Sequence, residues 1–424
     1  MLTWVEEEVA SPYGPVRTRY WAVPASPDAG GSPEPEREGP EPNPPPEDPE
    51  ADAGEGLEEA EDELGAVLWN SNGAALGWLR GRFFAPPRGP NGRRIVELGA
   101  GVGVIGIALA MGGATVAITD LKALLPLLRF NIARNRPRVR ERSRGAGHCE
   151  ALEWRWGPTE PINIRKRLKK RPTTTPDEAG NDAGLIAAVV EALRAIRQPS
   201  LAMRRCQGVF AAPHADARTP KRAREAAPPG QAPPVDLGIL CDALYGNPKD
   251  WPGLLYTLSE ILETNPADGR VVNFCEQRVK DVEGPFLKLL EDENAAEALC
   301  ESFSSEAPDD ARVLARALIE RCRGHTSAGE VDFERLNHAI LAQVSREKRR
   351  GVYEWNFTTT TLDGSEGKSD LGMIIHATTI MWKKKKTTRG GRPEKTKGGE
   401  NAPRLSDPAR KRSKNEIEPD LSSE

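Results

Sequence analysis

Cysteine is sparse and poorly spaced for metal binding. The six residues, at positions 149, 206, 241, 275, 300 and 322, form no C-x-x-C pair. That excludes zinc-ribbon and zinc-finger designs, so no metal site is expected, and the thiols read as those of a reduced, intracellular protein. An unbroken apolar run of bilayer length is also missing. Residues 95–118 are hydrophobic enough to suggest one, but glycines and Glu97 interrupt them, so no membrane association is expected. The chain opens with Glu6, Glu7 and Glu8 where a secretory leader would place basic residues and an apolar core. Core-forming residues are few for 424 positions, since 37 are proline and 40 glycine and the mean hydropathy is -0.55. One folded domain of about 200 to 250 residues with disordered additions fits this composition best.

The net charge of -4 conceals a marked asymmetry. Residues 28–63 are dominated by Asp, Glu and Pro and read as a disordered acidic linker, because they cannot bury enough apolar surface to offset ordering entropy. Residues 383–424 are a basic, Gly- and Pro-containing tail. Before the linker, residues 1–27 hold two alternating segments around Ser11-Pro-Tyr-Gly-Pro15, the pattern of a β-hairpin. Residues 64–382 form the folded domain, with two stretches that break its rhythm, 158–234 and 301–350.

The rest of the chain is organised around residues 94–135. Arg94–Leu98 is a short apolar run carrying one acid, as a buried parallel strand would be. Gly99, Gly101 and Gly103 follow and strip the Cβ atoms from the corner where a ligand would approach the backbone. Val104 then opens a helix whose first amides face that corner. A second strand, Ala114–Thr119, ends in Asp120, an acid placed to take ribose hydroxyls. Two cofactor classes suit this unit. Gly101, Gly103 and Gly106 spell G-x-G-x-x-G, the dinucleotide fingerprint. Glu97 argues the other way, because a carboxylate at the end of the first strand repels a pyrophosphate and attracts the ammonium and sulfonium of S-adenosyl-L-methionine.

Downstream, Leu124–Asn135 has helical spacing, and Glu150–Trp156 reads as a third strand with Leu152, Trp154 and Trp156 on one face. Within 158–234 only Leu185–Ile196 suggests a helix. The basic clusters Arg165–Arg171 and Lys221–Arg224 have no interleaved aromatics, so nucleic-acid contact is a minor alternative. Val235–Cys241 is a fourth strand leading into Asp242-Ala-Leu-Tyr245, and Gly269–Glu276 is a fifth. Helices are expected at Trp251–Leu262, Val282–Leu290, Arg312–Arg323 and Phe333–Val344, and a closing hairpin joins 351–361 to 371–382 through Asp363-Gly-Ser-Glu-Gly.

Together these pieces resemble the family-16 seven-β-strand methyltransferases, best known as protein-lysine methyltransferases. The matching residues are Gly65-Ala-Val-Leu-Trp69, Val96-Glu-Leu-Gly-Ala-Gly-Val-Gly103, Gly113-Ala-Thr-Val with Thr119-Asp120-Leu, the Asn131 and Asn135 pair, Leu152 to Gly157, and the D-x-x-Y sequence Asp242–Tyr245. The resemblance implies a Rossmann-like class I α/β fold, with a seven-stranded, mostly parallel sheet. It also implies S-adenosyl-L-methionine contacts from Trp69, the backbone of Gly99, Ala100 and Gly101, Asp120, Trp156 and Cys241. Glu97 and Gly103 join this set from the reasoning above. Cys241 is larger than the residue usual at its position in the family.

The function expected is methyl transfer to a lysine of a non-histone protein, with Asp242 and Tyr245 positioning the amine. Methylation of histidine or of a small molecule is the rival within enzymology, and a non-catalytic adaptor that keeps the fold is the rival outside it. A monomeric cytoplasmic protein is expected, with the basic tail available for nuclear import.

Overall fold

The computed structural model describes residues 3–22, 63–87, 89–169, 180–212, 233–245, 248–277, 282–303, 311–323, 330–362 and 374–385. The tip of the expected closing hairpin at Asp363, the acidic linker as far as residue 62 and all of the basic tail from 386 onward lie outside the described residues.

Residues that read as continuous apolar runs become buried parallel strands. β3 (Arg94–Leu98), β4 (Thr115–Asp120), β5 (His148–Glu153), β6 (Leu237–Cys241) and β7 (Arg270–Glu276) pair in parallel, and β8 (Tyr353–Thr361) and β9 (Ile375–Lys384) close the sheet antiparallel. The seven strands lie in the order β5-β4-β3-β6-β7-β9-β8. Because side chains alternate across a strand, β3 serves both faces of the sheet. Ile95 packs with the helices α1 (Ser71–Arg82), α2 (Val104–Met111) and α3 (Leu125–Arg142). Val96 and Leu98 pack on the opposite side with α7 (Trp251–Glu263) and α8 (Glu283–Phe303). The result is a three-layer α/β architecture with the order reversal at β3 and β6, where open parallel sheets hold their ligands.

Two sequence expectations need correction. The third strand is His148–Glu153, not Glu150–Trp156. Its length is set by its neighbour: the ladder runs from Thr115↔His148 to Asp120↔Glu153, and β4 offers nothing beyond Asp120. The Trp154 amide donates to the Asp120 carbonyl (2.9 Å) as the last link, so Trp154 and Trp156 follow the strand instead of alternating along it.

The second correction concerns 158–234, which is not wholly an insertion. It holds α4 (Ile164–Lys169), α5 (Gly180–Ile196) and α6 (Leu201–Ala211). Helix α6 buries Met203, Cys206 and Val209 in the core that holds Ala117 and Leu152 and packs over β4 and β5, so it is the crossover helix that the sheet requires between β5 and β6. Ser200 caps it by accepting from the Met203 amide (3.1 Å). Its apolar stripe is only three residues wide and is split by Arg204 and Arg205, which hid it in the sequence. α4 and α5 instead pack with α9 (Ala311–Arg321) and α10 (Phe333–Lys348) in a third core. The two interruptions of the domain therefore form one helical appendage. It is seated on α7 through buried Tyr256, whose hydroxyl donates to the Ile196 carbonyl (2.8 Å).

β1 (Thr3–Val9) and β2 (Val16–Ala22) form the expected hairpin. Its outer edge is satisfied by side chains. Asn135 Oδ1 accepts from the Arg17 amide (2.9 Å) and its Nδ2 donates to the Arg17 carbonyl (2.6 Å). Asn131 does the same for Arg19 at 2.8 and 3.2 Å, and also donates to the Val102 carbonyl (3.0 Å) just beyond the glycine corner. Two fully buried asparagines on successive turns of α3 thus stand in for a neighbouring strand. Asn131→Ala strands several of these backbone groups at once. At about 1–3 kcal/mol for each buried group left unsatisfied, the expected loss is about 2–4 kcal/mol, measured by urea unfolding.

Candidate functional site

β3 ends at Leu98, where the chain must leave the sheet and enter α2 within a few residues. It does so through left-handed conformations at Gly99 (φ 61°), Gly101 (φ 56°) and Gly103 (φ 78°), which side chains rarely adopt. At Gly101 a Cβ would also stand 2.8 Å from the Gly65 carbonyl oxygen, so the corner closes directly on the segment that leads to Trp69. Gly106 lies one turn into α2, and a Cβ there would collide with the Glu97 carboxyl. The last glycine of the G-x-G-x-x-G pattern therefore makes room for an acid of the chain itself.

That acid is almost fully buried, and its Oε2 accepts from the Gly106 amide (2.8 Å). Burial dominates its chemistry and pushes the carboxyl up to about 8. The Gly106 amide works against this shift and the nearby Asp120 charge adds to it. Glu97 is thus mostly protonated at neutral pH, which amends the fixed carboxylate expected from the sequence. Asp120, at the end of β4, accepts from the Gly101 amide through Oδ2 and from the Leu121 amide through Oδ1, both at 2.7 Å. These bonds pin the glycine corner.

The other side of the pocket comes from the end of β6. Asp242 holds φ 49°, a conformation that Asp tolerates better than most residues. Its Oδ2 accepts from Ser71 Oγ at the start of α1 (2.5 Å) and its Oδ1 from the Glu276 amide at the end of β7 (2.8 Å). Cys241 Sγ lies 3.2 Å from the same Ser71 Oγ, and burial beside Asp242 drives its thiol well above the ordinary range, so it stays neutral. Trp69 precedes α1, with its carbonyl held by Asn72 Nδ2 (2.8 Å).

One pocket gathers Trp69, Glu97, Gly99, Ala100, Gly101, Asp120, Cys241 and Asp242. Gly65, Val67, Asn72 and Val102 complete it. Gly65 and Val67 lay within the quoted Gly65–Trp69 motif, whereas Asn72 and the clamp residue Ser71 carried no signal beyond their place after Trp69.

Gly103 is not part of the pocket. A Cβ there would lie 2.8 Å from Leu128 Cδ2 and 3.6 Å from Ile118 Cγ2, so this glycine lets the start of α2 pack closely. Trp156 stands at the margin, where its Cζ2 is 3.7 Å from the point a Gly99 Cβ would occupy. Tyr245 closes the short turn Ala243–Tyr245, and its side chain lies outside the described residues.

The pocket is lined by three carboxyl groups, those of Glu97, Asp120 and Asp242, and by no Lys, Arg or His among the described residues. Such a lining repels phosphate and suits a ligand with positive charge and hydroxyl groups.

Comparison with known proteins gives the same direction. Over 66 residues the chain is 39% identical to protein N-lysine methyltransferase METTL21A of Danio rerio, a match covering 16% of this chain and 28% of that one. It is 44% identical over 63 residues to EEF1A lysine methyltransferase 3 of Mus musculus, covering 15% and 25%. These matches span well under half the length of the curated relatives. Among solved structures, the glycopeptide N-methyltransferase MtfA complexed with S-adenosyl-L-methionine aligns over 73% of this chain and 87% of its own, at 11% identity and a TM-score of 0.29. Residues 55–161, which supply every wall of the pocket except Cys241 and Asp242, match the lysine methyltransferase family.

Proposed function

We propose that this protein is an S-adenosyl-L-methionine-dependent methyltransferase that modifies a lysine side chain of a protein substrate. The observation that carries the reading is the acid-lined pocket, without a basic side chain among the described residues, set at the glycine corner where β3 and β6 reverse the strand order. A dinucleotide, the alternative that the glycine pattern allows, would bring its pyrophosphate against the Asp120 carboxylate with no basic side chain among the described lining residues to neutralise it.

The residues fit the cofactor. The Asp120 carboxylate at the end of β4 suits ribose hydroxyls, Trp69 offers an aromatic wall, the backbone at Gly99–Gly101 allows close approach, and Glu97 balances positive charge once ionised. When bound, this cofactor supplies a methyl group activated on a positively charged sulfur.

The chain's own task is to deliver a nucleophile. A lysine amine, with an ordinary pKa of about 10.4, must shed its proton before it attacks, and water at the open mouth of the pocket can take that proton. As the nitrogen forms its bond to carbon it gains positive charge. Asp242, held from two sides by Ser71 and Glu276, places a fixed carboxylate where it stabilises that charge. Tyr245, three residues on, is proposed to help orient the amine.

The test has two parts. Calorimetry should show binding of S-adenosyl-L-methionine and none of NADH, and Gly101→Ala should weaken the former at least tenfold, given the φ of 56° and the approach to Gly65. Incubation with labelled cofactor and a proteome extract, followed by mass spectrometry, should place the label on lysine. NADH binding without the sulfonium compound, or label on another residue type, would overturn the proposal.

A further inference from the structure

A second concavity lies beside the pocket, with Trp156 between them. Trp156 borders Gly99 on one side and also lines a groove between the β5–α4 connection, the start of α7 and one face of α10. The corner that carries it is rigid. The Gly157 amide donates to Thr257 Oγ1 of α7 (2.8 Å), and a Cβ on Gly253 would come within 3.0 Å of the Trp156 carbonyl oxygen. Helix α10 contributes Glu334, Asn337, His338 and Leu341. Their i, i+3, i+4, i+7 spacing is a single helical face along the groove, and Leu341 at its end also belongs to the third core. Lys249 and Asp250 stand on the opposite wall, and Lys249 Nζ reaches Glu334 Oε1 at 3.5 Å from one wall to the other. Both partners are mostly exposed, so this clasp contributes little and opens easily.

We infer that this groove receives the segment of the substrate protein that carries the target lysine. The inference rests on the methyltransferase reading and adds where the substrate lies and what holds it. Trp156 lines this groove and borders Gly99 of the cofactor pocket, which puts a chain lying here beside the site of transfer. Polar groups are spread along both walls and do not converge on one point, which suits the repeated amides and carbonyls of an extended chain better than a compact small molecule. Trp156, Ile162 and Leu341 give an apolar floor for a neighbouring side chain. The charged lining is mixed: Asp250 and Glu334 offer carboxylates to an approaching lysine, beside the basic Arg155 and Lys249. On this view the helical appendage, which the sheet does not need for closure, selects the substrate.

The experiment compares wild type with Glu334→Arg and, separately, His338→Trp, which reverses a rim charge or plugs the groove. Each protein is incubated with labelled S-adenosyl-L-methionine and a proteome extract, and its cofactor affinity is measured by calorimetry. The expected result is at least a tenfold loss of protein labelling in both variants with cofactor affinity unchanged, and a higher substrate requirement at similar maximal rate once a labelled protein is purified. Wild-type labelling in both variants would overturn the groove while leaving lysine methylation standing. Absence of labelling by the wild type itself would overturn the methyltransferase reading, and the groove with it.

Discussion

Between pH 6 and pH 8 the affinity for S-adenosyl-L-methionine should rise about fifty-fold, then level off, and Glu97→Gln should remove the slope. Glu97 is buried against the first turn of α2, and desolvation raises its carboxyl to about 8. The ligand-free pocket therefore holds a neutral acid at pH 7, and a cation entering it does best when that proton leaves. If the ionised form is the one that binds, affinity follows the ionised fraction, which grows about fifty-fold over this interval. Calorimetry in two buffers of different ionisation enthalpy would count one proton released per cofactor at pH 7 and almost none above pH 9. Stability moves the opposite way. The raised folded-state value means that the native protein keeps a proton the unfolded chain loses, so this contribution is intact below about pH 4.5 and is lost as pH rises through about 8. Glu97→Gln should thus raise the melting temperature at pH 8 and change it little near pH 4.5. A wild-type affinity that is flat with pH would detach Glu97 from the cofactor's charge.

The same residue shows how far the sequence could be read. A carboxyl group at the end of the first strand is visible in Arg94–Leu98, and so is its nearness to the glycine corner. Its charge state is not, because that depends on how completely α2 and β4 cover it. The parallel strands were legible within a residue or two, since strands buried on both faces are continuous apolar runs. β5 was misplaced because an edge strand takes its limits from the strand beside it, and Trp154 and Trp156 imitate an alternating face just past that limit. α6 escaped notice because a crossover helix in a basic, proline-flanked stretch needs only Met203, Cys206 and Val209 to hold the sheet. The pairing of α4 and α5 with α9 and α10 is a contact between segments more than a hundred residues apart, and no local pattern encodes it. Gly103 shows the limit in a different way. A glycine demanded by left-handed backbone and close helix packing looks identical, in sequence, to one that admits a ligand.

Asp242→Asn should lower turnover by about a hundredfold or more while changing cofactor affinity less than threefold and leaving the melting temperature nearly unchanged. The substitution is chosen for what it preserves. Asparagine tolerates the φ of 49°, its carbonyl can accept from the Glu276 amide, and its amide can donate to Ser71 Oγ, which reverses its role from donor to acceptor. Only the charge is removed. Alanine tests something else, because it leaves the Glu276 amide and the Ser71 hydroxyl without their acceptor and forces a Cβ-bearing residue to keep a left-handed backbone; a loss of about 2–4 kcal/mol is expected, read by urea unfolding. The two variants separate a carboxylate that stabilises charge on the attacking nitrogen from one that merely ties β6 to α1 and β7. In the first case Asp242→Asn is a folded, cofactor-binding protein with almost no transfer. In the second, Asp242→Asn transfers methyl groups at the wild-type rate and only Asp242→Ala is impaired, in proportion to its lost stability, and the acceptor's charge must then be met by another group at the carboxyl edge of the sheet.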